Sequence, residues 1–184
     1  MATIGVKDLF IAKCTENAAG ETFGTPRRLA KTIKVEMTTN IAEAILHADD
    51  SIDKNVKVFV SGVLKLDIND LADEDVAELL GQETDEDGVI YGGGDDIAPY
   101  WAVGFRADKG DGTFVYVWLY KTKFSIPDES YETKKEGITF QTPKLEGTFQ
   151  KRDSDGRWRA RKTLAPTDAV AVTWFEKVRE FKAA

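Results

Sequence analysis

Residues 56–68, VKVFVSGVLKLDI, decide the fold class, because apolar and polar residues alternate along them with a period of two. Valine, leucine and isoleucine at the even positions and polar residues such as Lys57 and Asp67 at the odd ones are typical of a strand with one solvated face. Residues 114–126, FVYVWLYKTKFSI, are apolar at both parities in their first half, which indicates a central strand covered on both sides. A mainly β protein is therefore predicted.

Turn sequences divide the remaining chain into short elements. DKGDG at residues 108–112 and DSDG at residues 153–156 each predict a hairpin. Further strands are expected at residues 3–13, 29–39, 41–48, 100–107, 138–151 and 158–162. ADEDVAELLG at residues 72–81 predicts a short helix, and the apolar spacing of residues 170–181 fits a second helix or a strand. We predict one domain, residues 1–184, folded as a β-sandwich or barrel flanked by a short α-helix, with a second C-terminal helix left open.

Composition excludes several classes of function. With 25 basic and 32 acidic residues the net charge is −7, which disfavours tight binding to a phosphate backbone. Cys14 is the only cysteine, so neither an intrachain disulfide nor a cysteine-based zinc site is possible. We expect no signal peptide, no membrane partner and synthesis in a reducing cytoplasm.

Charge is unevenly distributed along the chain. Residues 66–105 contain twelve acids and no Lys or Arg, whereas residues 121–184 contain fourteen basic and ten acidic residues. This separation favours head-to-tail contacts between copies, which generate rings and stacked fibres.

Two short motifs suggest a metal site or catalysis, and each has a simpler explanation. In ETDEDG (residues 83–88), Glu83, Asp85 and Asp87 alternate as in a calcium loop, but Gly94 stands where the final glutamate belongs, so a solvated hairpin loop is favoured and calcium stays open. His47, the only histidine, lies beside two aspartates without a nucleophile motif. We expect no catalytic residue, no metal site and no cofactor.

Arginines alternate around Trp158 at positions 157, 159 and 161. This pattern fits a nucleic-acid stripe, a charged edge strand or a protein contact, and the acidic net charge favours the protein contact.

Eight segments, taken together, resemble the major tail proteins, or tail tube proteins, of long-tailed, non-contractile phages of Gram-positive bacteria. They are IGVKDLFIAK, GTPRRLA, AILHADD, ELLG, DDIAPYWAVGFRA, YVWLYKTKFSIPDESYETK, TFQTPKLEGTFQKRDSDGRW and TWFEKV, in this order along nearly the whole chain. One departure is His47, where a tyrosine is expected before ADD.

The resemblance implies a structural virion protein and not an enzyme. Its relatives fold as a β-sandwich or barrel with a flanking helix and form hexameric rings that stack into the hollow tail tube. The implied partners are further copies of the chain, the tape measure protein, the baseplate or tail-tip proteins and the tail terminator. DNA is expected to pass through the lumen without specific binding, since acidic residues repel phosphate.

The polar residues 127–137, PDESYETKKEG, follow the strongest predicted strand. Given the resemblance, we predict a subunit-bridging arm whose contact residues are Glu129, Tyr131, Glu132, Lys134 and Lys135. The loop at residues 14–27 is a second candidate for ring stacking. Lumen-facing acids are expected either within residues 66–105 or among Asp128, Glu129, Glu132 and Glu136.

Two functions of other classes remain as alternatives. One is a carbohydrate-binding or adhesin module, for which Tyr91, Tyr100 and Trp101 would supply exposed aromatic rings. The other is a β-rich hydrolase that uses acidic residues.

Overall fold

A computed structural model describes residues 3–18, 20–48, 51–127 and 142–181, and within them the chain is mainly β, as predicted. The strands are β1 (Gly5–Asn17), β2 (Gly20–Phe23), β3 (Arg27–Arg28), β4 (Thr32–Ala48), β5 (Ser51–Ile68), β6 (Glu83–Thr84), β7 (Ile90–Tyr91), β8 (Tyr100–Asp108), β9 (Phe114–Phe124), β10 (Lys144–Gln150) and β11 (Arg159–Leu164). The helices are α1 (Asp73–Leu80) and α2 (Ala169–Val172).

One large antiparallel sheet runs in the order β2–β1–β8–β9–β10–β5–β4. The sheet divides at β9, which has two partners on the same edge: residues 114–119 pair with β11, whereas residues 121–124 pair with β10. Leu9, Val103 and Leu119 on one part and Leu64 and Leu145 on the other belong to the same buried cluster. This two-layered arrangement agrees with the predicted sandwich or barrel.

A second buried cluster covers the opposite face of β8 and β9. Trp118, Tyr116 and Tyr120 of β9 pack there against Trp174 and Val178 from the C-terminal segment. β9 therefore carries apolar side chains on both faces, which confirms the interpretation of residues 114–126 as a central strand.

Two glycines leave room for large aromatic rings. Gly62 pairs with Phe149, and a Cβ at Gly62 would lie 2.1 Å from the Phe149 ring. Gly104 pairs with Trp118 in the same way, with 2.7 Å to the ring. The glycines are therefore required by packing, and Gly62 itself marks neither a bend nor a bulge.

The irregularity in β5 lies two residues earlier. Ser61 pairs with Asn40 but Phe59 pairs with Ile41, so Val60 has no partner and the alternation shifts by one residue. Phe59 consequently packs against the core, whereas Val56, Val58 and Val60 are 52–54% exposed. The prediction that residues 56–68 present one continuous apolar face is wrong for its first part, and the predicted strands 29–39 and 41–48 are one strand joined at this bulge.

The two observed helices agree with the sequence predictions to different extents. α1 begins with three acids and ends at Gly81, whose φ of 71° is the left-handed conformation that glycine tolerates. α2 has only four residues, far fewer than the spacing of residues 170–181 suggests. In the segment that follows, the carbonyls of Trp174 and Arg179 accept hydrogen bonds from the side chains of Trp118 and Tyr120. Among the described residues, no helix is long and apolar enough to cross a membrane.

Candidate assembly surfaces

The distal parts of β4 and β5 form a two-stranded ribbon that extends beyond the sheet; we call residues 41–48 and 51–60 the outer ribbon. β10 pairs with β5 only from Ser61 to Asp67, so in the described chain β4 is the only partner of β5 beyond Ser61. At about 3.3 Å per residue, ten residues of β5 reach about 33 Å past that point. A two-stranded ribbon of this length is marginally stable on its own in water.

Apolar side chains of the outer ribbon are open to solvent. Ile41 is 56% exposed, and Val56, Val58 and Val60 are exposed to a similar extent. The opposite edge of β4 is also without a partner strand among the described residues. Charged side chains such as Glu43 and Lys57 lie on the ribbon as well, but exposed apolar residues on a long unpaired edge are typical of a surface that contacts another chain.

An open groove of about 390 Å³ separates β4 from β11, the two edge strands that face each other across the sandwich. Val115 and Val117 of β9 line its floor. Ile33 and Met37 of β4 form one side and are 54% and 37% exposed. The groove is therefore an apolar surface that opens to solvent.

Arg159 and Arg161 form the other side of the groove. They pair with Leu119 and Val117 of β9 and so lie on the face of the sheet that carries the core. Arg159 lies over the Trp158 ring, 4.3 Å from its centroid, and neither arginine has an ion-pair partner among the described residues. Trp158 packs partly buried against the core, whereas Arg159 and Arg161 are exposed along the open groove, so the ring points inward and the arginines reach solvent.

The acidic segment after α1 forms a small hairpin of β6 and β7. Asp85 organises it by accepting hydrogen bonds from the amides of Asp87 and Val89 and from the Tyr91 hydroxyl. The hydrogen bond from the Val89 amide, followed by that from Tyr91, lowers the pKa of Asp85 below its usual range. Asp85 thus serves the turn, as in the favoured hairpin interpretation, while Glu86 and Asp87 are exposed.

Lys121 lies in a cluster of carboxylates that the sequence did not reveal. Its ammonium group contacts Glu16, lies 2.7 Å from Asp153 and lies 3.9 Å from Glu21, although its side chain is only 4% exposed. Carboxylate oxygens of the three acids lie within 4.8 Å of one another, and their charges converge on one ammonium. The cluster joins β1, β2, β9 and the turn after β10, and it is an ion-pair network in which Lys121 and Glu21 are buried while Glu16 and Asp153 are exposed.

Glu21 is the most buried acid of this cluster. Burial alone would raise its pKa, but hydrogen bonds from the Ser154 hydroxyl and the Asp153 amide outweigh burial and lower it. The ionised carboxylate therefore stabilises the fold above the ordinary carboxyl pKa, and this stabilisation is lost as the pH falls through the lowered value.

Cys14 is 5% exposed, and burial, followed by the charge of Glu21, raises the pKa of its thiol to about 11. The reactive thiolate is therefore scarce at neutral pH. We expect iodoacetamide to alkylate the native chain at pH 7.5 at least about 100-fold more slowly than the urea-unfolded chain, with the native rate rising as the pH increases. Mass spectrometry measures both rates, and equal rates would contradict the placement of Cys14.

The residues predicted for the subunit-bridging arm lie outside the described part of the chain, so the arm stays a prediction: Glu129, Tyr131, Glu132, Lys134 and Lys135. The same holds for the four acids proposed there for the lumen. The loop predicted at residues 14–27 is partly strand, since β2 and β3 fall within it.

The aromatic rings named for a carbohydrate site and the single histidine were the remaining candidate site residues. Of the three rings named for a carbohydrate site, Tyr91 is 56% exposed as predicted, whereas Trp101 is 1% exposed and belongs to the core, so its predicted exposure is wrong. Tyr100 is partly buried and lies between Lys121 and Lys123. His47 is part of β4, and its side chain is outside the described part of the chain.

No protein-family model matches the chain, and no curated protein matches its sequence significantly.

Proposed function

We propose that this chain is a phage tail tube protein: a structural virion component whose hexameric rings stack into the hollow conduit for DNA. The observation that carries the proposal is the outer ribbon, on which Ile41, Val56, Val58 and Val60 are left more than half exposed by the described part of the chain. Contact with neighbouring copies would bury them, and a ribbon about 33 Å long suits such contact in a ring or stack. The resemblance of eight segments to the tail tube family supports the same assignment.

Charge supports the conduit role. The net charge of −7 disfavours adhesion to DNA, and the twelve acids of residues 66–105 include several exposed side chains around α1 and the β6–β7 hairpin. In this proposal DNA passes without specific binding. The partners are the tape measure, tail-tip or baseplate and terminator proteins, no catalytic group is involved, and the mature protein resides in the virion after synthesis in the host cytoplasm.

The proposal is tested by shortening the outer ribbon. Residues 43–57 are replaced by Asn-Gly, which joins the paired residues Ala42 and Val58 through a two-residue turn. We expect a folded monomer with an unchanged core that no longer forms rings or tubes, because among the described residues the removed segment pairs only with itself, whereas Phe59, which packs against the core, is kept. Negative-stain electron microscopy and size-exclusion chromatography over rising concentration, with tail-tip initiator proteins added, measure assembly, and circular dichroism measures folding.

Ile97→Lys provides a matched control, because Ile97 is an exposed apolar residue outside the ribbon, at 77% exposure. It should assemble like the wild type. Tubes from the shortened chain, or a wild-type chain that stays monomeric even with initiator proteins, would contradict the proposed function.

A further inference from the structure

We infer that the groove between β4 and β11 binds the acidic β6–β7 hairpin of a second copy of this chain, with Arg159 and Arg161 holding Glu86 and Asp87. This inference rests on the proposed function, because it takes the occupant to be another copy. It specifies one contact of the assembly by residue, distinct from the contact of the outer ribbon.

The two arginines favour an acidic occupant. Both side chains lie on the same face of the sheet as Val117 and Leu119, are exposed along the open groove, and lack an ion-pair partner among the described residues. Burial, and then the charge of Arg161, lower the pKa of the Arg159 guanidinium, so each of the two cations is unfavourable for the other. A carboxylate placed between them would relieve this repulsion and could accept two hydrogen bonds from each guanidinium fork.

Trp158 holds the first arginine in place. Its ring stacks on Phe59 at 4.5 Å and on Phe149 at 5.6 Å, so Arg159 lies over an aromatic surface that is itself packed into the core. The guanidinium is thereby partly ordered before a partner arrives, which lowers the entropic cost of binding.

The β6–β7 hairpin matches the groove in both charge and polarity. Glu86 and Asp87 are exposed and have no cationic partner among the described residues. On the same hairpin Val89 is 50% exposed and Tyr91 56% exposed. Acidic groups beside apolar ones are what a groove with two arginines on one side and Ile33 and Met37 on the other requires.

The hairpin and the groove of one copy do not meet. None of residues 70–99 lines the groove, although all of them are described. The two surfaces also differ from each other, so the contact is heterologous: each copy offers a groove to one neighbour and a hairpin to another. Contacts of this type produce rings or open stacks and do not stop at a dimer.

A charge exchange tests the contact. One variant carries Arg159→Glu and Arg161→Glu, and the other carries Glu86→Lys and Asp87→Lys. Each should fold but associate at least about 30-fold more weakly than the wild type, because like charges then meet at every contact. An equimolar mixture should associate again, since the acidic groove of one variant accepts the basic hairpin of the other and the unaltered groove accepts the unaltered hairpin.

Sedimentation velocity measures association, electron microscopy records the products, and thermal unfolding verifies the fold of each variant. Two control variants change the net charge by the same amount at positions outside the contact. One carries Lys162→Glu with Lys177→Glu, and the other carries Asp73→Lys with Glu74→Lys. Both controls should associate within about threefold of the wild type, because none of these residues lines the groove or belongs to the hairpin.

The outcomes separate this inference from the proposed function. Wild-type tubes together with arginine variants that also form tubes, or a folded mixture that fails to recover association, would overturn the contact and leave the tube function standing. Charge-dependent recovery without rings or tubes would support the contact and contradict the tube. A wild-type chain with no self-association would overturn both.

Discussion

Gly62→Ala is expected to lower the free energy of unfolding by about 3 kcal/mol, because the added methyl group would occupy the position of the Phe149 ring. A Cβ atom at position 62 would lie 2.1–2.6 Å from three atoms of the Phe149 ring, well inside van der Waals contact. Phe149 is fully buried and stacks on Trp158, so the ring cannot move aside without disturbing its neighbours. Urea unfolding followed by tryptophan fluorescence measures the change.

A second substitution makes this prediction specific. Phe149→Leu in the Gly62→Ala background removes the ring that the methyl group meets, so the double variant should be less destabilised than the sum of the two single changes. Gly5→Ala is the control, because nothing lies within 4 Å of its Cβ, and we expect a change within about 1 kcal/mol. Additive effects in the double variant would show that Gly62 is not required for the ring.

Lys121→Met should cost about 2–3 kcal/mol of unfolding free energy at pH 7, because it leaves three carboxylates without their shared cation. The methionine side chain can fill the same buried space, so the loss reflects charge more than packing. The value is at the lower end for a buried pair, since the side chains of Glu16 and Asp153 are 47% and 78% exposed and water screens them. Chemical denaturation at fixed ionic strength measures it.

The pH dependence distinguishes this explanation from a packing defect. Protonating one carboxyl group relieves the repulsion in the variant, so the deficit relative to the wild type should shrink as the pH falls from 7 to about 4. A packing defect would give a deficit that is constant with pH. Lys123→Met is the matched control: the neighbouring lysine lies over the Tyr100 ring without an ion pair among the described residues, and it should lose less than about 1 kcal/mol.

The sequence predicted the elements whose pattern is local. The alternation of residues 114–126, the DKGDG turn and the Gly81 helix end all correspond to structure, because each depends on near neighbours in the chain. The bulge at Val60 was missed, since its position depends on how β4 and β5 pair, and a single-residue shift exchanges the two faces of a strand.

The candidate surfaces depended on long-range contacts that the sequence does not display. Arg159 and Arg161 alternate in the sequence like solvent-facing residues and are exposed, but the groove that they line is formed with β4 and β9, which are distant in the chain. Nothing in the sequence near Lys121 distinguishes it from other strand lysines. In the fold, β1, β2 and the turn after β10 place three acids around its ammonium group. The C-terminal segment has helical spacing, but side chains from β9 bond to its carbonyls.

Apart from Phe59, which packs against the core, the two strands of the outer ribbon pair only with each other among the described residues, and this has a genetic consequence. A copy with a shortened ribbon would fold normally and keep its groove and hairpin, so it would enter a growing assembly and then offer an incomplete surface to the next copy. Such a copy terminates the growing assembly. The shortened variant should therefore be dominant negative, and a small fraction of it should inhibit assembly of the wild-type protein. Core variants that leave the chain unfolded would instead be recessive, because an unfolded copy never reaches the growing end.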